Sequence, residues 1–210
     1  MKILNLYSGL GGNRALLPGV IDGDPVEVTA VELDHAIANY YMENFPGDVM
    51  VIGDAHDYLL HHFDKYDIIW SSPPCQSHSR MTAGGRNRKP RYRDFGLYEE
   101  IDFLQRYFNG AWVVENVVPA YKPMFEYKLL GRHAYWSSLD LSGVDFIESP
   151  RGFSNEASAA ELADWLGIKY DYNIYYNGNN CQKQVLRNCV HPRNGLAVFM
   201  ALVDSVRGSS

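Results

Sequence analysis

The sequence places a cysteine on a stiff turn that directly follows an apolar run. Pro73, Pro74 and Cys75 come after the largely apolar residues 66–70. Two prolines fix two backbone φ angles and restrict the residue before them, so the thiol is held in one direction. A buried structural cysteine is the common alternative, but the residues after Cys75 are polar. We therefore predict a nucleophilic thiol, with a pKa that nearby cations lower.

A carboxyl and an amide close another apolar run further along the chain. Residues 111–114 are apolar, and Glu115 and Asn116 follow them. If this run lies beside the strand that leads to Cys75, the carboxyl lies near the thiol. A partly buried carboxyl has a raised pKa and can share a proton with a bound base. A solvated strand end is the alternative.

A glycine cluster near the N-terminus indicates a ligand site. Ser8, Gly9, Gly11 and Gly12 close the first apolar run, and we predict a turn and a short helix over residues 9–19. Glycines allow the backbone to approach a ligand closely, and a helix N-terminus favours polar or anionic groups. The dinucleotide spacing GxGxxG is missing, which disfavours a pyrophosphate cofactor and leaves an adenosyl cofactor open. A simple tight turn is the alternative.

Two acids end the next apolar runs. Glu32 closes the second run, where a carboxylate can accept hydrogen bonds from ribose hydroxyls. Asp54 closes the third run, where it can hold an adenine amino group. Together with the glycine cluster, these strand ends predict a nucleoside-shaped site, whereas solvated helix caps are the alternative.

These candidate groups fall at the ends of predicted strands that alternate with helices. The predicted strands are residues 2–8, 26–34, 48–55, 66–74 and 111–119, and the predicted helices after the glycine turn are residues 35–45 and 97–108. Strands that are apolar on both faces and alternate with helices predict a parallel sheet covered on both sides. Ligands bind outside the carboxyl ends of such strands, so the candidate groups should meet there.

Composition limits the class of protein. The 210 residues, 46% of them hydrophobic, suit one globular domain or one domain plus a small appendage. No apolar run is long enough for a membrane span, and the first residues lack the pattern of a signal peptide, so we expect neither. Three cysteines without paired spacing disfavour a disulfide framework and a zinc site, which favours a reducing cytoplasm. We predict His56, His61 and His62 on an exposed helix rather than at a metal.

A basic segment follows Cys75 in a chain whose net charge is −6. It contains the cations Arg80, Arg86, Arg88, Lys89, Arg91 and Arg93, with no acid among them. Such a patch can bind phosphates with strongly salt-dependent affinity, whereas a solvated surface is the alternative. The tyrosine-rich residues 169–180 can touch bases, but partly buried packing is the favoured reading.

In this order along the chain, the motifs resemble those of the cytosine carbon-5 DNA methyltransferases. The similar segments are NLYSGLGG, VELD, GDA, SSPPCQ, VVENV, GRHAYW and QVLRNCVHP, which cover most of residues 1–138 and about 182–203. Two departures stand out. The family's eighth motif has arginines two apart, whereas here Arg132 is followed by His133 and Ala134. The tenth motif has glycine before asparagine, whereas here Arg187 precedes Asn188.

The resemblance implies a Rossmann-like α/β fold that binds S-adenosyl-L-methionine, with a mostly parallel sheet, helices on both faces and a small recognition insert. We expect a cofactor-binding and catalytic core at residues 1–140, a short target-recognition insert at 141–181, and a C-terminal segment at 182–210 that returns to the core. The short insert predicts a short recognition sequence or relaxed specificity.

The resemblance also implies roles for individual residues. Cys75 attacks carbon 6 of a flipped-out cytosine, while Glu115 contacts the ring nitrogen and the exocyclic amine. Asn116 orients Glu115 or the cysteine turn, and Arg132 holds the carbonyl oxygen of the base. The implied cofactor-binding residues are Tyr7, Ser8, Gly9, Gly11, Gly12, Glu32, Leu33, Asp54, Ala55, Pro73, Asn188 and Val190. The implied DNA-binding residues are Gln76, Ser77, Arg80, Arg86, Arg88, Arg91 and Arg93.

We therefore expect a monomeric enzyme that methylates carbon 5 of cytosine in double-stranded DNA, without a metal or a membrane. Its expected setting is the cytoplasm of a bacterial cell or a phage-infected host, in a restriction-modification system or a phage. Three alternatives stay open: a tRNA cytosine methyltransferase of the same family, a non-catalytic DNA-binding relative, and a nicotinamide oxidoreductase. The missing GxGxxG disfavours the last.

Overall fold

The computed structural model describes residues 1–75, 77–78, 94–150, 152, 156–170, 174, 181 and 183–208. In chain order the strands are β1 (Lys2–Leu6), β2 (Val20–Ile21), β3 (Asp24–Pro25), β4 (Glu27–Glu32), β5 (Val49–Ile52), β6 (Ile68–Ser71), β7 (Ala111–Val117), β8 (Lys128–Leu130) and β9 (His133–Ser137). The helices are α1 (His35–Asn44), α2 (Ala55–His62), α3 (Gly96–Tyr107), α4 (Ala159–Leu166), α5 (Gln184–Arg187) and α6 (Pro192–Gly208). A short 3-10 helix spans Phe63–Lys65.

Seven of the strands form one mostly parallel sheet. Its order is β5-β4-β1-β6-β7-β9-β8, and β9 and β8 run antiparallel to their neighbours. The chain leaves β1 for β4 on one side and later returns to β6 on the other, so the strand order reverses between β1 and β6. In open α/β sheets, ligands bind outside the carboxyl ends of the strands at such a switch point.

The sheet has a hydrophobic layer on each face because successive side chains of a strand point to opposite sides. On one face Trp70 and Val113 pack with Phe199 of α6. On the other face Ile69 and Val114 pack with helices α2 and α3. A side chain of this size contributes about 1.5–3 kcal/mol when it is fully buried. This two-sided core holds the strand ends in a fixed arrangement.

The glycine segment and the C-terminal part differ from the sequence-based expectations. The helix predicted within residues 9–19 is wrong, because the backbone hydrogen bonds there join residues three apart, from the N–H of Arg14 to Gly11 and from that of Leu17 to Arg14, both at 3.0 Å, whereas an α-helix joins residues four apart. Consecutive turns take its place. The 17-residue α6 and the β8–β9 hairpin were not predicted as elements. The other predicted strands and helices are confirmed, with ends shifted by a few residues.

The predicted recognition insert contains α4, which packs beside the core. Ser158 caps this helix in a capping box with Glu161, and Leu162 and Leu166 join a hydrophobic cluster with α1 and α5. The bounds of the three predicted regions stay predictions. The basic residues 80–93 and most of residues 169–180 lie outside the described residues. Across the described part of the chain, no helix combines the length and hydropathy needed to cross a membrane.

Candidate active site

A cavity of about 950 Å³ opens at the carboxyl ends of the parallel strands. Most of the predicted site residues line it: Tyr7, Ser8, Gly9, Gly12, Glu32, Leu33, Asp54, Ala55, Pro73, Cys75, Glu115, Asn116, Arg132, Asn188 and Val190. The chain thus brings the predicted cofactor groups and the predicted catalytic groups into one space.

Two predicted site residues lie elsewhere. Gly11 does not line the cavity, because it packs against Phe45, and a Cβ at that position would lie 2.3 Å from a ring carbon. Ser77 does not line it either, and its hydroxyl accepts a hydrogen bond from the backbone N–H of Asp94 at 3.0 Å. Gln76 and the arginines predicted to bind DNA lie outside the described residues.

The turn that carries Cys75 is held by hydrogen bonds from two sides. The side-chain amide of Asn116 donates to the carbonyl oxygen of Pro73 at 2.9 Å. The backbone N–H of His78 donates to the carbonyl oxygen of Cys75 at 3.0 Å. Asn116 therefore contacts the cysteine turn, and its expected role in orienting that turn stays a prediction.

The prediction that cations lower the pKa of Cys75 is wrong for the described residues. Burial raises the pKa of this thiol, and the neighbouring carboxyl of Glu115 raises it further. Arg132 opposes both effects but does not outweigh them. The sequence shows a polar segment after Cys75 but not the carboxyl that the fold places beside it.

Glu115 is a buried carboxyl, so the alternative of a solvated strand end does not apply. Its side chain is 7% exposed, and its Oε2 accepts a 2.9 Å hydrogen bond from the hydroxyl of Ser72. Burial raises the pKa of Glu115 to about 7, while Ser72 and Arg132 oppose that rise. Near neutral pH both the protonated and the ionised carboxyl are therefore accessible, so it can give or take a proton.

Two residues from the β8–β9 hairpin complete this end of the cavity. Arg132 donates a hydrogen bond to the carbonyl oxygen of Arg187 at 2.6 Å, which ties the hairpin to α5. The Nδ1 of His133 lies 3.5 Å from Oε1 of Glu115. The arrangement gives a thiol, a carboxyl with a shifted pKa, an imidazole and a cation around one space.

The other end of the cavity presents groups for a nucleoside. Glu32 accepts hydrogen bonds from the backbone N–H groups of Gly9, Leu33 and Asp34 at 2.9–3.0 Å. A carboxylate has about four acceptor sites, so these bonds leave room for a ligand hydroxyl. Burial raises the pKa of Glu32 despite them. Asp54 caps α2 by accepting from the N–H of Asp57 at 2.9 Å.

One buried hydroxyl points to a polar ligand. The Oγ of Ser8 is buried and lines the cavity, and it has no hydrogen-bond partner within the described part of the chain. Buried polar atoms are rarely left without a partner, so a bound polar group is expected to satisfy it. With the acceptors of Glu32 and Asp54 nearby, the residues present fit an adenosyl cofactor.

The C-terminal segment closes the cavity against the glycine turn. A Cβ on Gly12 would lie 2.3 Å from the carbonyl oxygen of Val190 and 2.5 Å from the sulfur of Cys189. Only glycine allows so close an approach of these two segments. The N–H of Gly12 also hydrogen-bonds the sulfur of Cys189, whose pKa burial raises to about 12. Asn188 and Val190 thereby become part of the cavity wall.

A buried acid beneath the cavity was not predicted from the sequence. Glu100 is 0% exposed and accepts hydrogen bonds from the hydroxyls of Tyr7 at 2.6 Å and Ser71 at 2.5 Å. His56 lies 3.1 Å away through Nδ1, and its hydrogen bond to Glu100 raises the pKa of His56. The sequence does indicate this burial, because Glu100 falls on the same helix face as the apolar Leu97 and Leu104.

Two of the three clustered histidines make local contacts on α2, whereas His56 contacts Glu100 of α3. The Nδ1 of His61 lies 2.8 Å from the carbonyl oxygen of Asp57, and that of His62 lies 3.1 Å from the carbonyl oxygen of Tyr58. The predicted helix is confirmed, but of the three residues only His61 is exposed, and His56 and His62 are half-buried. Among the described residues, no three His, Cys, Asp or Glu side chains are grouped as a metal site would require.

Comparison with known proteins adds a family and a fold. Residues 1–129 match the family described as C-5 cytosine-specific DNA methylase. The tRNA (cytosine(38)-C(5))-methyltransferase of Mus musculus is 36% identical over 110 residues, which are 50% of this chain and 25% of that protein. The Homo sapiens protein of the same name is 33% identical over 110 residues, 50% of this chain and 27% of its own length. The chain thus spans about a quarter of the length of these curated relatives.

Two solved structures share the fold over nearly the whole chain. The Entamoeba histolytica methyltransferase EhMeth superposes with a TM-score of 0.59 at 10% identity, covering 98% of both chains. A DNMT2 mutant from Spodoptera frugiperda gives 0.54 at 17% identity, covering 98% of this chain and 99% of that one. The fold is that of S-adenosyl-L-methionine-dependent methyltransferases, and the methyl donor for which this cavity is built is S-adenosyl-L-methionine. The chain belongs to the C-5 cytosine-specific DNA methylase family.

Proposed function

We propose that the protein transfers a methyl group to carbon 5 of a cytosine in DNA through a covalent bond between Cys75 and the base. The observation that carries this proposal is the meeting of Cys75 and Glu115 in one cavity, where the carboxyl is close enough to raise the pKa of the thiol. The same cavity contains the nucleoside-binding groups around Ser8 and Glu32. A thiol and a proton-donating acid beside a cofactor site are what this reaction needs.

The proposed chemistry begins at carbon 6 of the base. The Sγ of Cys75 forms a bond to carbon 6, and the proton of Glu115 passes to ring nitrogen N3, so carbon 5 becomes nucleophilic. S-adenosyl-L-methionine, when bound, supplies the electrophilic methyl group that carbon 5 takes. Water then takes the proton from carbon 5, and the C–H electron pair forms the bond between carbons 5 and 6. The bond between Sγ and carbon 6 breaks with its electron pair returning to sulfur, and N3 returns its proton to the Glu115 carboxylate, so aromaticity and the starting acid are restored. Covalent catalysis divides one difficult step into easier ones.

The protonation states of the two groups support this order of events. The reactive state needs a thiolate at Cys75 and a protonated Glu115, which together hold one proton. Because the pKa of Glu115 is about 7 and that of Cys75 is raised above its ordinary value, the pair also holds one proton between those two pKa values. A transfer of that proton within the pair therefore reaches the reactive state without a change in net charge.

The substrate must present an unstacked base. Cys75 is only partly accessible and Glu115 is buried, so an intact duplex cannot bring a ring face to both. Extrusion of a base costs a few kcal/mol, least where the base is already single-stranded. In the proposed function, contacts to the nucleic acid outside the cavity offset this cost.

A second candidate substrate is tRNA. The observation that favours it is the name of the curated relatives, which are tRNA cytosine methyltransferases at 33–36% identity. Their match covers 50% of this chain, and the catalytic chemistry at the cysteine is the same for either polymer. We therefore expect the residues outside the segment matched by these relatives to determine whether the substrate is DNA or tRNA.

A direct assay decides between the two substrates. Tritiated S-adenosyl-L-methionine is incubated with duplex DNA and, in parallel, with a tRNA mixture, using the wild-type chain and Cys75→Ala. We expect label in DNA with the wild-type chain and none with the variant. Label in tRNA alone would reject DNA as the substrate and keep the chemistry. Label that survives in Cys75→Ala would reject the covalent mechanism.

A further inference from the structure

His133 and Glu115 form a buried pair on adjacent antiparallel strands. Val117 of β7 pairs with His133 of β9, and Glu115 pairs with Tyr135, so the two side chains lie on the same face of the sheet. The distance from Nδ1 of His133 to Oε1 of Glu115 is 3.5 Å, and their side chains are 11% and 7% exposed. Both residues line the cavity that contains Cys75.

The hydrogen bonds of Glu115 indicate which of its oxygens carries the proton. Oε2 accepts a hydrogen bond from the hydroxyl of Ser72 at 2.9 Å, so it acts as the carbonyl oxygen of the protonated acid. The proton then sits on Oε1, the oxygen that faces His133. An acceptor at Nδ1 would keep that proton in place.

His133 is suited to act as this acceptor because it stays neutral. Burial lowers the pKa of His133 to about 3, and the cation of Arg132 beside it acts in the same direction. A neutral imidazole has one nitrogen that donates and one that accepts. An edge-on ring contact with Tyr135, at a centroid distance of 6.5 Å, restrains the plane of the imidazole.

The groups that face this pair come from several elements. They are Cys75 after β6, Cys189 before α6, Tyr135 on β9, and Arg132 in the turn that directly precedes β9. Burial raises the pKa of both thiols and of the phenol, so these three are neutral at neutral pH. Arg132 is thus the charge that bears on the pair, and a guanidinium remains protonated in proteins.

We propose that His133 is a positioning residue for methyl transfer, because its neutral Nδ1 holds the proton on Oε1 of Glu115 until ring nitrogen N3 of the cytosine replaces it as the acceptor. The inference rests on the proposed function. One proton moves from Oε1 to N3, Glu115 becomes a carboxylate, and His133 keeps its charge and its own proton. The imidazole therefore sets the state of the acid without touching the base.

A titration of the Glu115 carboxyl tests this role independently of activity. His133→Leu removes the nitrogen that lies 3.5 Å from Oε1 and that the proposal makes the acceptor of the acid proton, so it should lower the Glu115 midpoint by about 0.5 pH unit or more. His133→Asn offers a carbonyl oxygen close to the position of Nδ1 and should restore the midpoint. Tyr135→Phe is the matched control, because it lies on the same face and is equally buried, and should leave the midpoint unchanged.

The measurement is a carbon-13 NMR titration of the full chain with labelled glutamate, in which Glu115→Gln assigns the signal. His133→Val replaces His133→Leu if the latter does not fold, because both remove the acceptor. An unchanged or raised midpoint in the folded apolar variant would overturn the proposal. So would a midpoint in Tyr135→Phe that falls as far as it does in that variant.

Kinetics separate failure of this inference from failure of the proposed function. We expect kcat of His133→Leu to fall roughly 10-fold, with KM for S-adenosyl-L-methionine unchanged and recovery in His133→Asn. If the wild-type chain methylates neither DNA nor tRNA, the proposed function fails, and the NMR midpoints alone still decide the role of His133. If the wild type is active and His133→Leu matches it in kcat, the positioning role is rejected.

Discussion

The side-chain amide of Asn116 donates a 2.9 Å hydrogen bond to the carbonyl oxygen of Pro73, which joins the end of β7 to the turn that carries Cys75. The same side chain accepts from the N–H of Val117 at 2.9 Å, so its orientation is fixed at both ends. Cys75 is therefore positioned by its own prolines and by the neighbouring strand. Asn116 contacts the turn and Glu115 precedes it on the same strand, which couples the positions of the two reacting groups.

Loss of the Asn116 bond should impair chemistry more than binding. A displacement of about 1 Å can cost on the order of 100-fold in rate, so Asn116→Ala should lower kcat by roughly 10- to 100-fold with little change in KM for the methyl donor. The control is Asn44→Ala, which removes a similar 2.8 Å bond to the carbonyl oxygen of Tyr40 outside the cavity. Equal kinetic effects of the two variants would contradict this role.

The free energy of unfolding of the chain should depend on pH because Glu115 titrates. Its pKa is raised from 4.5 to about 7 by burial, so between those values the folded state binds more protons than the unfolded state. Stability therefore falls as pH rises through this window. Glu115→Gln removes this titration. The melting temperature of the variant minus that of the wild type should therefore increase as the pH rises from about pH 5 to about pH 8. A difference in melting temperature that is constant with pH would contradict the raised pKa.

The buried Glu100 should stabilise the floor of the cofactor site. Glu100→Gln replaces one accepting oxygen by an amide donor, which leaves a buried hydroxyl of Tyr7 or Ser71 without an acceptor, at about 1–3 kcal/mol. We expect a lower melting temperature by calorimetry and a raised KM for S-adenosyl-L-methionine. Asp102→Asn on the exposed face of α3 is the control, because its pair with Arg106 is exposed and contributes little. Unchanged stability in Glu100→Gln would refute the role.

The close contact between Gly12 and Val190 leaves no room for an added methyl group. Gly12→Ala places a Cβ against the carbonyl oxygen of Val190, a backbone atom that moves only with its segment. We expect a loss of about 1–3 kcal/mol in the free energy of unfolding and weaker binding of S-adenosyl-L-methionine in a calorimetric titration. Gly47→Ala is the control, since a Cβ there meets no atom within 4 Å. Binding by Gly12→Ala that equals binding by Gly47→Ala would be inconsistent with this wall of the cavity.

The site residues at the strand ends can be predicted from the sequence because each follows directly after an apolar run. Apolar runs that end in Glu32, Cys75 and Glu115 are read directly from neighbouring residues, and the fold brings all three to one cavity. The helix predicted after the glycine cluster is wrong because the segment forms consecutive turns with i→i+3 hydrogen bonds, which its apolar pattern does not distinguish from a helix.

Other parts of the site depend on contacts between residues far apart in the chain, which a single sequence does not reveal. The approach of His133 to Glu115 follows from the antiparallel register of β7 and β9. The raised pKa of Cys75 follows from burial and from a carboxyl on another strand. Glu100 is an intermediate case, because an acid on an apolar helix face already indicates a buried polar partner.

Trapping the covalent intermediate tests the central claim most directly. Oligonucleotides that contain 5-fluorocytosine, as duplex DNA and as RNA, are incubated with the chain and S-adenosyl-L-methionine, and the adduct is digested and analysed by mass spectrometry. Fluorine at carbon 5 blocks the final loss of a proton, so the bond from sulfur to carbon 6 should persist. We predict an adduct on the peptide that contains Cys75 and none with Cys75→Ser. If the methyl donor is bound and the base engaged, yet no adduct forms or it forms at another residue, the account is contradicted.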